Sequence, residues 1–323
     1  MKVWRINDKP QIKSENPMNV KNITKAINKQ LKQDGWRGKI VSIEHVENLQ
    51  REIEGHYQNG NLDQELYDGY LDRFDFSISE NFNDAKSLIV VSAPQPHVRV
   101  VFTRQGQTYP SIIPSTYRLD TDHQIKERLQ RLLKPEGFYL EEKRLPDKLV
   151  AVSSGLARYG KNNITYVPGM GSLHRMAVFV SDLPCVEDHW GEAKILKTCD
   201  ECTACMDACP TGAIVSDRFL IHAERCITFH NERTAAFPKW LDPSWHNCLV
   251  GCLYCQNACP MNQKFLNWIE DRTAFSEKET DYLFNGALPD DMPQTMVEKL
   301  ERLGMIEFTG VLGRNLEVII ENK

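Results

Sequence analysis

Nine of this chain's ten cysteines crowd between Cys199 and Cys259, and no other feature constrains the fold as much. The first 184 residues contain none. A secreted disulfide scaffold spreads its cysteines through a small domain, whereas clustered thiols in a reducing compartment hold metal. The first run reads Cys199-x2-Cys202-x2-Cys205-x3-Cys209-Pro210. Its two-residue gaps make a tight turn whose three thiolates grip one [4Fe–4S] cube. The wider gap before Cys-Pro turns the fourth sulfur toward a second cube. A second run, Cys252-x2-Cys255-x3-Cys259-Pro260, follows with one ligand missing, because Leu249 stands where a full repeat has cysteine. Two cubes take about eight thiolates, and the two runs supply seven. Cys226 and Cys248 are the candidates for the eighth. Cys226, midway between the runs, is the better placed, since Cys248 lies only four residues from Cys252. The expected sets are Cys199, Cys202, Cys205 and Cys259 for one cluster, and Cys209, Cys226, Cys252 and Cys255 for the other. Cys185 and Cys248 then read as small buried hydrophobes.

Two adjacent cubes form a wire for single electrons, and the rest of the chain must say what it feeds. Length and composition fit about two globular domains. Lys and Arg number 39 against 44 Asp and Glu, a net charge of −5. That leaves no overall positive field to clamp a nucleic-acid backbone or an anionic membrane. Met1 to Val20 mixes charges and proline without an apolar stretch, so no secretory signal is expected. No apolar run reaches 18 residues, so no bilayer span is expected either, and a cytoplasmic location follows.

Hydrophobic periodicity predicts helices over 20–35, 42–57 (opened by a Ser42 cap), 120–133 and 147–159. Short apolar runs predict strands at 87–92, 98–103, 138–140 and 176–181. After Cys259 the pattern predicts helices over 263–271 and 292–303 and a β-like tail at 316–320. The organisation expected is an N-terminal helical region (1–84) packed on the next domain, an α/β domain (85–195), a cluster module (196–265) and a C-terminal helical tail (266–323). The fold class is α+β. Between Gly155 and Ser172, two glycine turns let backbone amides approach a ligand closely, with Lys161 and Asn162 as donors. The loop is not a P-loop, since Asn162 replaces the hydroxyl that would hold magnesium.

From about residue 85 to 265 the chain resembles the epoxyqueuosine reductase family, itself related to reductive dehalogenases. The resemblance is carried by Cys199 to Cys209-Pro-Thr-Gly-Ala-Ile214, by Arg225-Cys226-Ile-Thr228, and by Gly251-Cys252-Leu-Tyr-Cys255-Gln-Asn-Ala-Cys259-Pro-Met-Asn262. Upstream, Gly155-Leu-Ala-Arg-Tyr-Gly160-Lys161-Asn162, Gly171-Ser172 and Ser181-Asp-Leu183 are similar to the family's Gly-Leu-Gly-x-x-Gly-Lys-Asn, Gly-Ser and Thr-Asp-Leu segments. The match independently favours Cys226 over Cys248.

The resemblance implies a nitroreductase-like α/β domain followed by a bacterial-ferredoxin-like double [4Fe–4S] module. It also implies a base-off cobalamin, in keeping with the absence of Asp-x-His-x-x-Gly around any of the nine histidines. By position the cobalamin contacts would be Arg118, His123, Lys161, Asn162, Gly171, Ser172 and Thr228. The family's proton-donating Asp falls on Glu141 in an ungapped count. Departures cluster on the chemistry: the family's Arg-Gly-x-Asp-Tyr-His segment is reduced to Arg118 and His123, and Leu253-Tyr254 replaces an Asp-Asp pair. A paralogue reducing a different substrate, a small molecule or a modified nucleoside, is the expectation, with electrons from a ferredoxin or flavodoxin. Transfer RNA is a possible partner that the charge does not favour. Two alternatives stand beside it. One is a true epoxyqueuosine reductase with a basic groove near Gly155. The other is a corrinoid-free electron-transfer protein whose cavity is filled by Arg158-Tyr159 and His174-Arg175.

Overall fold

The structure, a computed structural model, describes residues 17–71, 73–77, 84–117 and 120–322. Arg118 and the stretch before residue 17 that was read for a secretory signal lie outside them. Helix α1 (Pro17–Gln33) sets Ile23, Ile27 and Leu31 in one buried stripe. Strand β1 (Arg37–Ser42) follows, and the Ser42 hydroxyl accepts the Glu44 amide to cap a 3₁₀ turn, after which α2 (Val46–Gln58) begins. The chain then runs through β2 (Ser87–Pro94), β3 (His97–Arg104) and β4 (Gln107–Ile113). Next come α3 (Asp120–Leu133), β5 (Leu140–Glu142), α4 (Asp147–Ser153), the short strands β6 (Arg158–Tyr159) and β7 (Thr165–Tyr166), and β8 (His174–Ser181).

Strands β1, β2, β8 and β5 form one sheet in that order, each pair antiparallel. Helices cover both of its faces. Leu88 and Val90 of β2 pack with Val46 and Leu49 of α2 and with Leu149 to Val152 of α4. The intervening Ile89 and Val91 pack with Ile27 and Leu31 of α1 and with Ile125, Leu129 and Leu133 of α3. A strand buried on both faces reads as a continuous apolar run, which is why Ser87 to Ser92 is legible as a strand without alternation. The same logic explains β1, whose single buried residue, Val41, leaves little pattern to read. The 1–84 region is thus not only helical, because it contributes the sheet's edge strand.

After the cysteine-rich segment come β9 (Ile269–Phe275), α5 (Glu277–Phe284), α6 (Gln294–Arg302) and α7 (Thr309–Glu321). Strand β9 joins the β3–β4 hairpin, parallel to β3, in a second sheet of order β4-β3-β9. The helix expected over 263–271 is therefore turns and strand. Residues from two distant segments complete one sheet, a non-local pairing that no local pattern announces. The β-like tail at 316–320 is helical. Leu312, Leu316 and Ile319 fall at helical spacing and are buried, and packing against the second sheet outweighs the strand preference of Val318 and Ile320. Conversely, α4 stops at Ser153 because Gly155, at φ 73°, turns the chain away. No helix among the described residues is long and apolar enough to cross a membrane.

Where α7 crosses α5, a Cβ on Gly313 would lie 2.3 Å from the Leu283 carbonyl oxygen, while one on Gly310 meets only Thr234 Cγ2 at 3.5 Å. Alanine usually favours a helix over glycine by about 0.5–1 kcal/mol. Thermal melts should therefore show Gly310→Ala neutral or slightly stabilised, and Gly313→Ala destabilised by about 1–3 kcal/mol, as expected of overpacking.

Candidate iron–sulfur centres and the cavity beside them

The cysteine-rich segment folds as turns and very short helices rather than as a hydrophobic domain. Cys199 closes a 3₁₀ turn, Cys205 lies in the turn of helix Ala204–Asp207, and Cys209 follows it. The second run repeats this with Cys255 in the turn Tyr254–Asn257 and Cys259 after it. Cys226 caps the helix Ile227–Asn231 from extended backbone. The thiols fall into two groups. Cys199, Cys202 and Cys259 all act on Cys205 electrostatically. Cys209 and Cys226 act on Cys252, and Cys252 and Cys226 act on Cys255. The two groups adjoin, since Cys205 also acts on Cys255. Cys248 is buried and senses only Cys252 among the thiols. Burial raises Cys205 to about 11 and Cys252 to about 12, aided by neighbouring thiolates. Buried thiols held close together and kept from ionising are a poor arrangement unless a cation draws off the charge. No three His, Cys, Asp or Glu side chains among the described residues converge on a single ion. A cubane instead spreads its ligands over four corners.

The second thiol set forms one wall of a cavity of about 660 Å³. Cys209, Cys226, Cys252 and Cys255 all line it, whereas none of the other set does. Its opposite walls come from the first sheet and α4, and much of its surface is apolar, from Leu145, Leu149, Met176, Ile214 and Ile227 among others. Tyr159, His174 and Arg175 line this space without filling it, and Arg158 is exposed outside it. The volume is that of a small-molecule or cofactor site. Its size, apolar walls and thiol-lined side fit a large flat redox cofactor.

Of the residues expected to contact a cobalamin, Asn162, Ser172 and Thr228 line the cavity, and His123, Lys161 and Gly171 do not. His123 lies on the outer face of α3, 74% exposed and paired with Glu127. Lys161 turns to the clusters instead: its Nζ donates to the carbonyls of Asp200, at 3.2 Å, and Cys202, at 3.1 Å. Gly171 is pressed against the cluster module, where a Cβ would lie 2.5 Å from Asn262 Oδ1. Ser172 lines the cavity but spends its groups on the same neighbour. Its amide donates to Asn262 Oδ1 at 2.9 Å, and its Oγ donates to Gln256 Oε1 at 2.9 Å. Asn162 and Thr228 line the cavity, with Asn162 Nδ2 donating to Tyr166 Oη at 3.1 Å and Thr228 hydrogen-bonded to Cys226. Arg118 is among the residues not described.

Glu141 sits on β5 opposite Val180 and is not among the residues lining the cavity. An ungapped count put the carboxylate there, but the strand directs this residue into the sheet edge. The acids that do reach the cavity include Asp147 and Glu232. Asp147 opens α4. Its surroundings are enclosed by protein, and burial lifts its carboxyl to about 7 against the pull of Arg175. Arg175 is itself held by Asp122, with Nε donating to Oδ1 at 2.7 Å and Nη2 to Oδ2 at 2.6 Å. Glu232 accepts the Tyr117 hydroxyl; burial raises its pKa, while that hydrogen bond and Lys148 oppose the rise. Desolvation beside the cavity draws Lys148 down, although the residue as a whole is exposed. Neither Tyr117 nor Glu232 lies in a recognisable motif, and Asp147 had been absorbed into a helix.

A brace from the far end of the chain completes the second thiol set. Asn315 of α7 donates through Nδ2 to the carbonyls of Asn231, at 3.0 Å, and Leu249, at 2.9 Å. Asn231 Nδ2 in turn donates to the Gly251 carbonyl at 2.8 Å. One buried amide therefore ties the helix after Cys226 to the loop leading into Cys252. A polar residue on the buried face of an otherwise apolar helix was the signal available for it.

An α+β domain joined to a two-cluster iron–sulfur module is the class that this fold and site define. Residues 198–262 match the family described as "4Fe-4S double cluster binding domain". The epoxyqueuosine reductase of Bacillus subtilis (strain 168) is 35% identical over 119 residues, 37% of this chain and 30% of that protein. The one from Pseudomonas aeruginosa is 28% identical over 235 residues, 68% of this chain and 62% of that protein. Each match spans less than two-thirds of the curated relative. A solved epoxyqueuosine reductase carrying an epoxyqueuosine-modified tRNA stem loop superposes with a TM-score of 0.63 at 20% identity, over 94% of this chain and 82% of that one. Over the matched residues the chain is similar to epoxyqueuosine reductases, and residues 198–262 match the double-cluster binding domain.

Replacing Cys226 with Ser should lower iron in the reconstituted protein from about eight toward about four per chain, while Cys248→Ser leaves it unchanged. Equal losses in both variants would overturn the ligand sets.

Proposed function

We propose that the chain is an oxidoreductase of the epoxyqueuosine reductase type. Cys199, Cys202, Cys205 and Cys259 would hold one cluster and Cys209, Cys226, Cys252 and Cys255 the other, for single-electron transfer, and the cavity beside the second set would hold a base-off cobalamin. The observation that carries this reading is the open cavity whose wall contains all four thiols of one set and none of the other. Bound there, cobalamin supplies a low-valent cobalt centre able to reduce an electrophilic substrate. The apolar side chains of Leu145, Leu149, Met176 and Ile227 would hold it by excluding water from its faces, and Thr228 would meet it on the cluster side. A corrinoid-free electron-transfer protein has no use for so large a space, so the open cavity weighs against that alternative.

Within the cavity the residues divide the remaining work. Asp147 is the group placed to give up a proton, because a carboxyl near neutrality is protonated often enough to donate and acidic enough to do so readily. Lys148 and Arg175 supply positive charge beside it, which favours an anionic substrate or product. The substrate we propose is a small molecule or a modified nucleoside, with a one-electron donor of the ferredoxin or flavodoxin class. The relative solved with a tRNA stem loop supports a second reading, in which the nucleoside is presented within RNA. The net charge of −5 does not favour it.

Anaerobic titration of the iron-loaded protein with cobalamin, followed by electron paramagnetic resonance of the cob(II) state, tests the proposal. A stoichiometric base-off signal is expected. No binding with both clusters present would leave the electron-transfer reading. Asp147→Asn should leave that signal intact and lower turnover by about 10²–10⁴-fold. In the unsubstituted protein, activity should fall as pH rises through about 7, where Asp147 loses its proton. The same group gives a stability check. Its folded pKa lies above the ordinary value of 3.8, so the stability gained from holding the proton is lost as pH rises toward about 7. Asp147→Asn should remove that part of the pH dependence.

A further inference from the structure

The loop from Gly160 to Tyr166 was read from sequence as a cradle for an anionic or amide-rich ligand. Two of its side chains, Asn162 and Tyr166, reach the thiols. Asn162 and Tyr166 are both 3% exposed. Asn162 Oδ1 accepts the Ile164 amide at 3.2 Å, which fixes the side-chain amide in place. One Nδ2 hydrogen goes to Tyr166 Oη at 3.1 Å, and the side chain also hydrogen-bonds the Cys255 sulfur. Having accepted from Asn162, the Tyr166 hydroxyl has its own hydrogen to give, and it is hydrogen-bonded to the Cys259 sulfur. The result is a continuous path, Cys255 Sγ to Asn162 Nδ2 to Tyr166 Oη to Cys259 Sγ. Its two ends lie in the two different thiol sets. Gly160 makes room for it, since a Cβ there would sit 2.6 Å from Asn162 Oδ1 and 2.7 Å from Tyr166 Cε2. The Lys161 backbone amide adds a hydrogen bond to Cys199, and its Nζ clamps the loop between Cys199 and Cys202.

We propose that Asn162 and Tyr166 are positioning residues for electron transfer: as a hydrogen-bonded pair donating to one thiolate of each cluster, they set the difference in reduction potential between the two. This rests on the ligand sets proposed above. A donor to a ligating sulfur stabilises the reduced, more negative cluster and raises its potential. Tyr166 acts on the first cluster through Cys259, and Asn162 acts on the second through Cys255. The step affected is the internal one, in which the first cluster goes from the 1+ to the 2+ state and the second from 2+ to 1+. One electron moves and no bond is made or broken. Removing the Tyr166 donor changes the drive for that step at a residue that does not line the cavity, whereas Asn162 lines it.

The test is a potentiometric titration of the iron-loaded protein with dithionite, followed by electron paramagnetic resonance, in the unsubstituted protein, Tyr166→Phe and Asn162→Ala. Tyr166→Phe keeps the ring and removes only the hydroxyl; it should shift one cluster's midpoint to a more negative value and leave the other nearly unmoved. Asn162→Ala should shift the second cluster and, by releasing Tyr166, alter the first as well. Gly160→Ala should move both. Midpoints unchanged in Tyr166→Phe and Asn162→Ala, with full iron, would overturn the proposal. So would loss of iron in both, which would make the pair merely structural. Fewer than two clusters in the unsubstituted protein would count against the ligand sets themselves, a failure distinguishable from either.

Discussion

A single buried amide, Asn262, is the joint on which the site depends. Its Oδ1 accepts the Ser172 amide, and its Nδ2 donates to Ser172 Oγ at 2.7 Å and to the Gln256 carbonyl at 2.9 Å. Ser172 belongs to the turn that leads into β8, and Gln256 to the second cysteine run. The α+β domain and the iron–sulfur module are thus fastened by a side chain with donor and acceptor both satisfied, in a place where water does not reach. Breaking such a buried set costs more than the bonds themselves are worth, because each group left behind is stranded without solvent. The cavity exists because the two layers are held together at this seam yet do not close upon one another beyond it.

The surrounding electrostatics follow from the same seam. Acids and bases that would be solvated on a surface are drawn into the enclosed space by the helix and strand ends that form it. Asp147 arrives as the first residue of α4, Arg175 on β8, and Glu232 just past the short helix that Cys226 caps. Arg175 is already committed to Asp122, so Asp147 receives only part of its field. Burial, only partly opposed by Arg175, holds the carboxyl near neutrality rather than in the ordinary acidic range.

Much of this was legible in the sequence, and the rest was hidden for definite reasons. Cysteine spacing is a direct record of cluster geometry, so the double-cluster module could be read before any fold was known. Helix α3 matches its expected span because Ile125, Leu129 and Leu133 repeat without interruption. Strands β1 and β9 escaped because each is recognised only through a partner far along the chain. The capping box at Ser276 and Glu279, which opens α5, was present in the sequence and went unread. The Gly160–Tyr166 loop misled in a different way. Its glycines, lysine and asparagine do approach a charged centre, but the centre is made by this chain's own sulfurs. A donor-rich loop declares that it binds something electron-rich and does not declare whether that something is a guest.

The brace from α7 has a consequence for biogenesis. Asn315 comes well after the last cysteine in chain order, yet its amide is what joins the segment after Cys226 to the one before Cys252. During synthesis all eight candidate ligands leave the ribosome before the helix that holds four of them in register. A chain ending before Asn315 would therefore keep every candidate ligand and lose the brace behind the set that faces the cavity.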